Sequence, residues 1–271
     1  MSEQEENKAM SFLEHLEAFR WHLVRSLIAL VVGACIAFFF KSLIFDVILL
    51  APKSPSFITN RLLCEFGKMI HSSSLCINSK PFEIINLNMA GQFNMHMKIS
   101  FAAGIILASP YIFYEFWRFI SPALYKNERT HVQIAIFYST ILFIIGVLFG
   151  YYILTPMTIQ FLCGYTISDQ IVNTINMESY ISTISSLILA CGLIFELPVL
   201  LFLLTKLKLI TPTFLRRYRR HAILINFILA SIIAPPDALS MIIVAVPLLL
   251  LYEGSIFISA RVVRKTEKEN V

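Results

Sequence analysis

Residues 221–252 read HAILINFILASIIAPPDALSMIIVAVPLLLLY, and the fold turns on how this run is divided. A first apolar part, 221–234, stops at Pro235 and Pro236, and a second begins after Asp237. At about 1.5 Å per residue the first part reaches only about 20 Å, whereas the hydrocarbon core of a bilayer is about 30 Å thick. Two divisions remain: a hairpin that re-enters from one side, or two short spans met by local thinning of the bilayer. The second part runs on through EGSIFISA, and the charge pattern needs both ends on one side, so two short spans are favoured. Asp237 follows the prolines, where a carboxylate can cap the last helix and complement its dipole.

The rest of the chain reads the same way. Of 271 residues, 57% are hydrophobic and only 14% charged, against about 25% charged in a soluble domain. Several runs exceed the length of about 18 apolar residues that marks a span. The expected fold is an all-α integral membrane domain with six transmembrane helices, at about 21–45, 94–120, 132–154, 180–204, 221–234 and 238–258. A long polar loop, about 46–92, separates the first two spans. The segment before the first span carries mixed charge and no small-residue cleavage site follows it, so that span is read as retained rather than as a signal peptide. No internal repeat is apparent.

Six spans put the N terminus, the loops at 121–131 and 205–220, and the C-terminal tail on one side. With boundary residues counted, that side holds sixteen of the 22 Lys and Arg residues and the other holds six. The positive-inside rule makes the richer side, with both termini, cytoplasmic. The net charge of +5 is distributed beside the spans, so it does not argue for nucleic acid. The block RRYRR, 216–220, reads as a determinant of topology.

Cysteine usage adds one candidate bond. Cys35 and Cys191 lie within spans and serve as small apolar residues. Cys64 and Cys76 share the long outer loop, which would face an oxidising compartment, and are candidates for a disulfide, with Cys163 a competing partner. No Cys/His cluster suggests a metal, and no cofactor motif is present. There is no nucleophile pattern or glycine-rich phosphate loop, so the reading is not that of an enzyme.

The carboxylates carry the functional argument. Glu196 interrupts the apolar run CGLIFELPVLLFLL, residues 191–204. It lies about 15 Å from the boundary at Lys206, near mid-membrane. An ionised carboxylate facing lipid there costs several kcal/mol, so it must protonate, pair or face a wet groove. Pro198 favours the groove, because it frees backbone groups that need neighbours or water. A structural carboxyl bonded to a neighbouring helix is the alternative. A second group gathers on the cytoplasmic face. Glu14, Glu17 and Arg20 share one helix face by their spacing. Glu128 and Arg129 occupy the tight loop after the second span, and Glu115 and Arg118 stand three apart before it. Carboxylates in such places can also be a solvated fringe worth little.

Four stretches together resemble one family: SFLEHLEAFRWHLVRSL (11–27), ASPYIFYEFWRFISPALYKNER (108–129), FELPVLL (195–201) and IIAPPDALSMIIVAVPLLLLYE (232–253). The chain resembles the TatC family, the multispanning receptor subunits of the twin-arginine protein translocase, from about residue 11 to 263. The outer loop at 53–80 departs from the family pattern. The resemblance implies six spans in a cupped bundle with the last two short, in the inner membrane of a prokaryote. It implies binding of folded cargo through a signal peptide with paired arginines. It also implies assembly with TatA- and TatB-type single-span subunits, driven by the proton motive force without nucleotide or cofactor. Membrane lipid and further copies of the chain are the other expected partners.

The implied site residues are Glu17, Arg20, Phe119 and Glu128, with Glu14 and Glu115 as weaker neighbours; for Glu115 an intrahelical pair with Arg118 is the alternative. Each guanidinium can fork onto a carboxylate with two charge-assisted hydrogen bonds, a geometry lysine lacks. The family's HLxELR motif reads HLEAFR here, so its carboxylate position is Ala18. Either Glu17 takes over by a local shift, or Glu14 contributes, or Glu128 dominates. The resemblance further implies that Glu196 faces the concave side, towards a partner helix or the apolar core of the signal peptide. The rival reading is a proton-coupled small-molecule transporter using Glu196 as its proton site.

Overall fold

The structure, a computed structural model, describes residues 12–69, 71, 76–78, 82–123, 132–168, 170, 173–207, 209–234 and 237–269. It is a helical membrane protein. Helix α1 (Phe12–Phe39) leads through a π-helical turn at Leu43–Leu49 to α2 (Ile58–Met69). Strand β1 (Ile84–Ile85) precedes α3 (Gly91–Ile120). Helix α4 (Val132–Phe149) continues through a second π-helical turn, Gly150–Leu154, into α5 (Thr155–Gly164). Strand β2 (Ile175–Asn176) is followed by α6 (Met177–Phe195) and α7 (Leu197–Lys206). Helices α8 (Pro212–Arg217), α9 (Arg219–Ile233) and α10 (Ala238–Glu269) complete the chain.

Five helical stretches are long and apolar enough to cross a membrane: Glu14–Phe39, Gly91–Ile120, Val132–Gly164, Met177–Lys206 and Ser240–Arg261. Helix α9 has 15 residues, about 22 Å of rise, and falls below that length. It ends beside Pro235, where α-helical conformation before a proline is disfavoured.

The helices differ from the expected spans at several boundaries. The first helix begins at Phe12, well before residue 21, because its amphipathic start packs against α3 rather than fraying. The third continues past 154 to Gly164. The fourth is two helices, divided at Glu196. The loop at 46–92 is not irregular throughout, since it contains α2 and β1. Strands β1 and β2 pair in parallel, Ile84 with Ile175 and Ile85 with Asn176, and so clasp the connections before α3 and before α6 together.

In lipid there is little hydrophobic force between helices, and close packing at small residues takes over. Helices α1 and α3 show this. A Cβ added at Gly104 would lie 2.6 Å from the Ala34 nitrogen, and one at Gly33 would lie 2.9 Å from the Gly104 carbonyl oxygen. The central core is built from Met95 and Ile99 of α3, Phe143 of α4, and Ile181 and Ile184 of α6. A second cluster joins α6, α9 and α10 through Leu187, Cys191, Ala230, Val244 and Leu248.

Candidate functional site

The α1–α3 seam carries the first constellation. On α1, His15, Phe19 and His22 follow the spacing of one helix face. All three meet Phe119 of α3, with ring centroids at 4.5, 5.3 and 6.0 Å, His15 stacking flat on it. Beneath them His22 Nδ1 lies 2.5 Å from Glu115 Oε2, and Arg25 Nη1 stands 3.9 Å from the same oxygen. The Glu115 side chain is 2% exposed, and Tyr111 lies beside its carboxyl group. A carboxylate this deep is costly unless a cation and hydrogen bonds compensate it, and α1 supplies both.

The intrahelical Glu115–Arg118 pair allowed by the sequence does not form. Glu115 turns into the seam, while Arg118 turns outward, its Nη1 3.5 Å from the Tyr114 hydroxyl and its guanidinium over that ring. Arg20 likewise is exposed, with its guanidinium 5.6 Å from the Trp21 ring centroid. Glu14 and Glu17 are exposed. Helix α1 is regular through this stretch, so no local shift carries Glu17 into the place of residue 18. Glu17 stands roughly 200° round the helix from His15, on the side away from Phe119, whereas half-buried Ala18 flanks the seam. Glu128 lies outside the described residues.

Glu196 forms the second constellation. It is the junction residue between α6 and α7, and Pro198 starts the new helix. Ser139 and the backbone of Phe143, both on α4, lie beside its carboxyl group. Trp117 Nε1 of α3 donates to Ser139 Oγ at 3.0 Å, so a tryptophan, a serine and the carboxyl group form a polar line across three elements. Glu196 Oε1 is nevertheless buried with no hydrogen bond among the described residues. An apolar cavity of about 650 Å³ opens between α1, α3, α4 and α6, lined by Ile36, Ile99, Ile106, Val147 and Ile188 among others; Glu196 is not part of its wall.

Asp237 Oδ2 accepts from the Ser240 backbone N–H at 2.7 Å, and the Asp237 carbonyl accepts from Met241 N–H at 3.1 Å. Asp237 thus caps α10. Cys64 and Cys76 are joined by a disulfide, with Cα atoms 4.1 Å apart, and Cys163 is free.

Sequence reasoning missed His22 and the Trp117–Ser139 bond. The spacing of His15, Phe19 and His22 was the available signal for a shared face. Their partners lie too far along the chain for spacing to reveal.

Fold and site together define a polytopic helical membrane protein that places carboxylates at helix seams. Comparison narrows the class. Residues 14–247 match the family model for the Sec-independent protein translocase protein TatC. A TatC protein of Blattabacterium is 45% identical over 262 residues, covering 96% of this chain and 98% of that relative. One from Aquifex aeolicus is 36% identical over 260 residues, with 96% and 98% covered. A crystal structure of the twin-arginine translocase receptor TatC superposes with a TM-score of 0.71 at 36% identity, covering 91% of this chain and 99% of that one. The chain belongs to the TatC family, and is a multi-pass membrane component of the Sec-independent protein translocase.

Proposed function

We infer that this chain is the subunit that receives twin-arginine signal peptides of folded proteins and nucleates the export channel. The observation that carries this reading is the aromatic seam of α1 and α3, where Glu115 sits beneath Phe119 and the exposed Glu14 stands on the Ala18 side of the seam, Glu17 lying on the far side of α1. Such a surface suits two neighbouring guanidinium groups, because forked hydrogen bonds reward arginine over lysine. The solved relative described as a twin-arginine translocase receptor supports the same role.

The membrane arrangement follows from the charges. Helices α1, α3, α4 with α5, α6 with α7, α9 and α10 are read as six spans. The face bearing both termini is the cytoplasmic side of a prokaryotic inner membrane, and the bilayer thins around α9. Single-span TatA- and TatB-type subunits are the proposed partners and the proton motive force the driver. Glu196 is proposed to meet a polar group on an incoming helix when a shift at the α6–α7 junction uncovers its buried, unsatisfied oxygen, a contact of about 1–2 kcal/mol. Family membership favours this reading over a small-solute transporter built on the same carboxyl group.

A pull-down from detergent by a signal peptide bearing two arginines, against the same peptide with two lysines, tests the reading. Capture by the arginine form alone supports it; equal capture by both would reduce it to generic attraction between opposite charges.

A further inference from the structure

Helix α2 lies in the connection between α1 and α3, and its surface divides into three arcs. At 100° per residue, Asn60 and Gly67 fall on one arc and both are buried. Ile58, Leu62, Phe66 and Met69 fall together on a second arc and are 59%, 58%, 57% and 77% exposed. Arg61, Glu65 and Lys68 fall on the third, beside the apolar arc, and all are exposed. Arg61 and Glu65 pair at 3.3 Å, which leaves Lys68 as the excess charge on that arc.

The buried arc fixes how the other two point. Asn60 Nδ2 donates to the Pro52 and Ser54 carbonyls at 3.0 and 2.8 Å. Asn78 Nδ2 reaches Asn60 Oδ1 at 3.4 Å and the Pro156 carbonyl at 3.0 Å. The Cys64–Cys76 disulfide adds a covalent tie. Thr59 Oγ1 donates to the Tyr152 carbonyl at 2.5 Å, and Phe57 stacks on the Tyr152 ring. The apolar arc is therefore held outward and cannot roll inward to bury itself.

The anchor also fixes the height of α2 along the bundle. Tyr152 lies twenty residues beyond the start of α4 at Val132, about 30 Å of helical rise, which equals the thickness of the hydrocarbon core. Tyr151 and Tyr152 pack edge to face there, ring centroids 4.8 Å apart, and tyrosines are enriched at headgroup level. A helix at that level, with an apolar arc adjoining a charged one, has the layout of a membrane-surface helix.

We propose that α2 is an interfacial helix that sinks Ile58, Leu62, Phe66 and Met69 into the acyl boundary of the phospholipid leaflet opposite the N terminus, with Arg61 and Lys68 at the phosphate level. The occupant of the apolar arc is lipid, and the disulfide holds the helix at the angle that presents this arc. The inference needs only that the chain spans a membrane; it does not depend on signal-peptide recognition.

The test uses the full chain in phosphatidylcholine–phosphatidylglycerol vesicles, with tryptophan placed on either arc: Phe66→Trp and Arg61→Trp. Emission from Trp21 and Trp117 is subtracted with the unaltered chain, and the Cys64–Cys76 bond is verified by mass in each variant. The expected result is that Phe66→Trp emission is lost in vesicles with brominated acyl chains and resists aqueous iodide, while Arg61→Trp behaves the opposite way. Iodide quenching of Phe66→Trp equal to that of Arg61→Trp would overturn the proposal. Protection of Phe66→Trp from both quenchers would overturn it too, because protein and not lipid would then cover the arc.

Discussion

His22 Nδ1 and Glu115 Oε2 meet at 2.5 Å although 93 residues separate them along the chain. This contact ties the start of α1 to the end of α3 and explains how a carboxylate survives in so buried a place. The wall beneath Phe119 is therefore a hydrogen-bonded contact between two helices and not a surface fringe.

Removing one partner of this pair should cost far more than removing both. His22→Ala leaves Glu115 with Arg25 at 3.9 Å and Tyr111 beside its carboxyl group, and breaking a buried pair by removing one partner costs about 3 kcal/mol. The double variant His22→Ala/Glu115→Gln should recover much of that loss. Thermal unfolding in detergent across the double-mutant cycle measures the coupling, and strict additivity would contradict it.

Gly104→Val should separate α1 from α3. The added Cβ alone would meet the Ala34 backbone at 2.6 Å, and overpacking of this kind costs about 1–3 kcal/mol. Gly254→Ala is the internal control, because nothing lies within 4 Å of that Cβ. The expected outcome is a lowered unfolding temperature for the first and an unchanged or raised one for the second.

Ala18→Glu should strengthen binding of a twin-arginine peptide. It places a carboxylate beside the seam, whereas Glu17 points away from Phe119. One new charge-assisted hydrogen-bonded contact corresponds to about tenfold in affinity. Fluorescence anisotropy with a labelled peptide reads the change, and Glu17→Gln should move it much less.

Ser139→Ala should destabilise the protein more than its small volume change suggests. It strands the Trp117 indole N–H, which now bonds Ser139 at 3.0 Å. A buried donor left unpaired costs about 1–3 kcal/mol. Trp117→Phe in the Ser139→Ala background should then cost little beyond the first change, as measured by chemical unfolding.

Asp237→Ala should loosen the start of α10 by about 0.5–2 kcal/mol, since the side chain accepts from Ser240 N–H at 2.7 Å and cap removal typically costs that much. Asp237→Asn keeps an acceptor and should be nearly silent. Hydrogen exchange at the first turn of α10 distinguishes the two.

The five long apolar helices were legible because each declares itself locally, through length and hydropathy. The cap at Asp237 was legible for the same reason, since a cap acts within three residues. The division of the fourth span was half visible: Pro198 announced a disturbance, but the place where the helix ends depends on α4 behind it. Helix α2 was hidden by the polarity of its surroundings, although Ile58, Leu62 and Phe66 already stood at helical spacing. Glu115 looked like a partner for Arg118 because sequence shows neighbours on one helix and not across two. Its partner His22 becomes evident only when α1 and α3 lie side by side.

The parallel pairing of Ile84 with Ile175 also sets an order of events during synthesis. The two ends of that clasp emerge far apart in time, with the hydrophobic segments of α3, α4 and α5 translated between them. That clasp stays open until the ribosome has released the stretch before α6. A nascent chain halted any earlier is a set of inserted rods without its fastening, and quality-control proteases would meet it in that unlatched form.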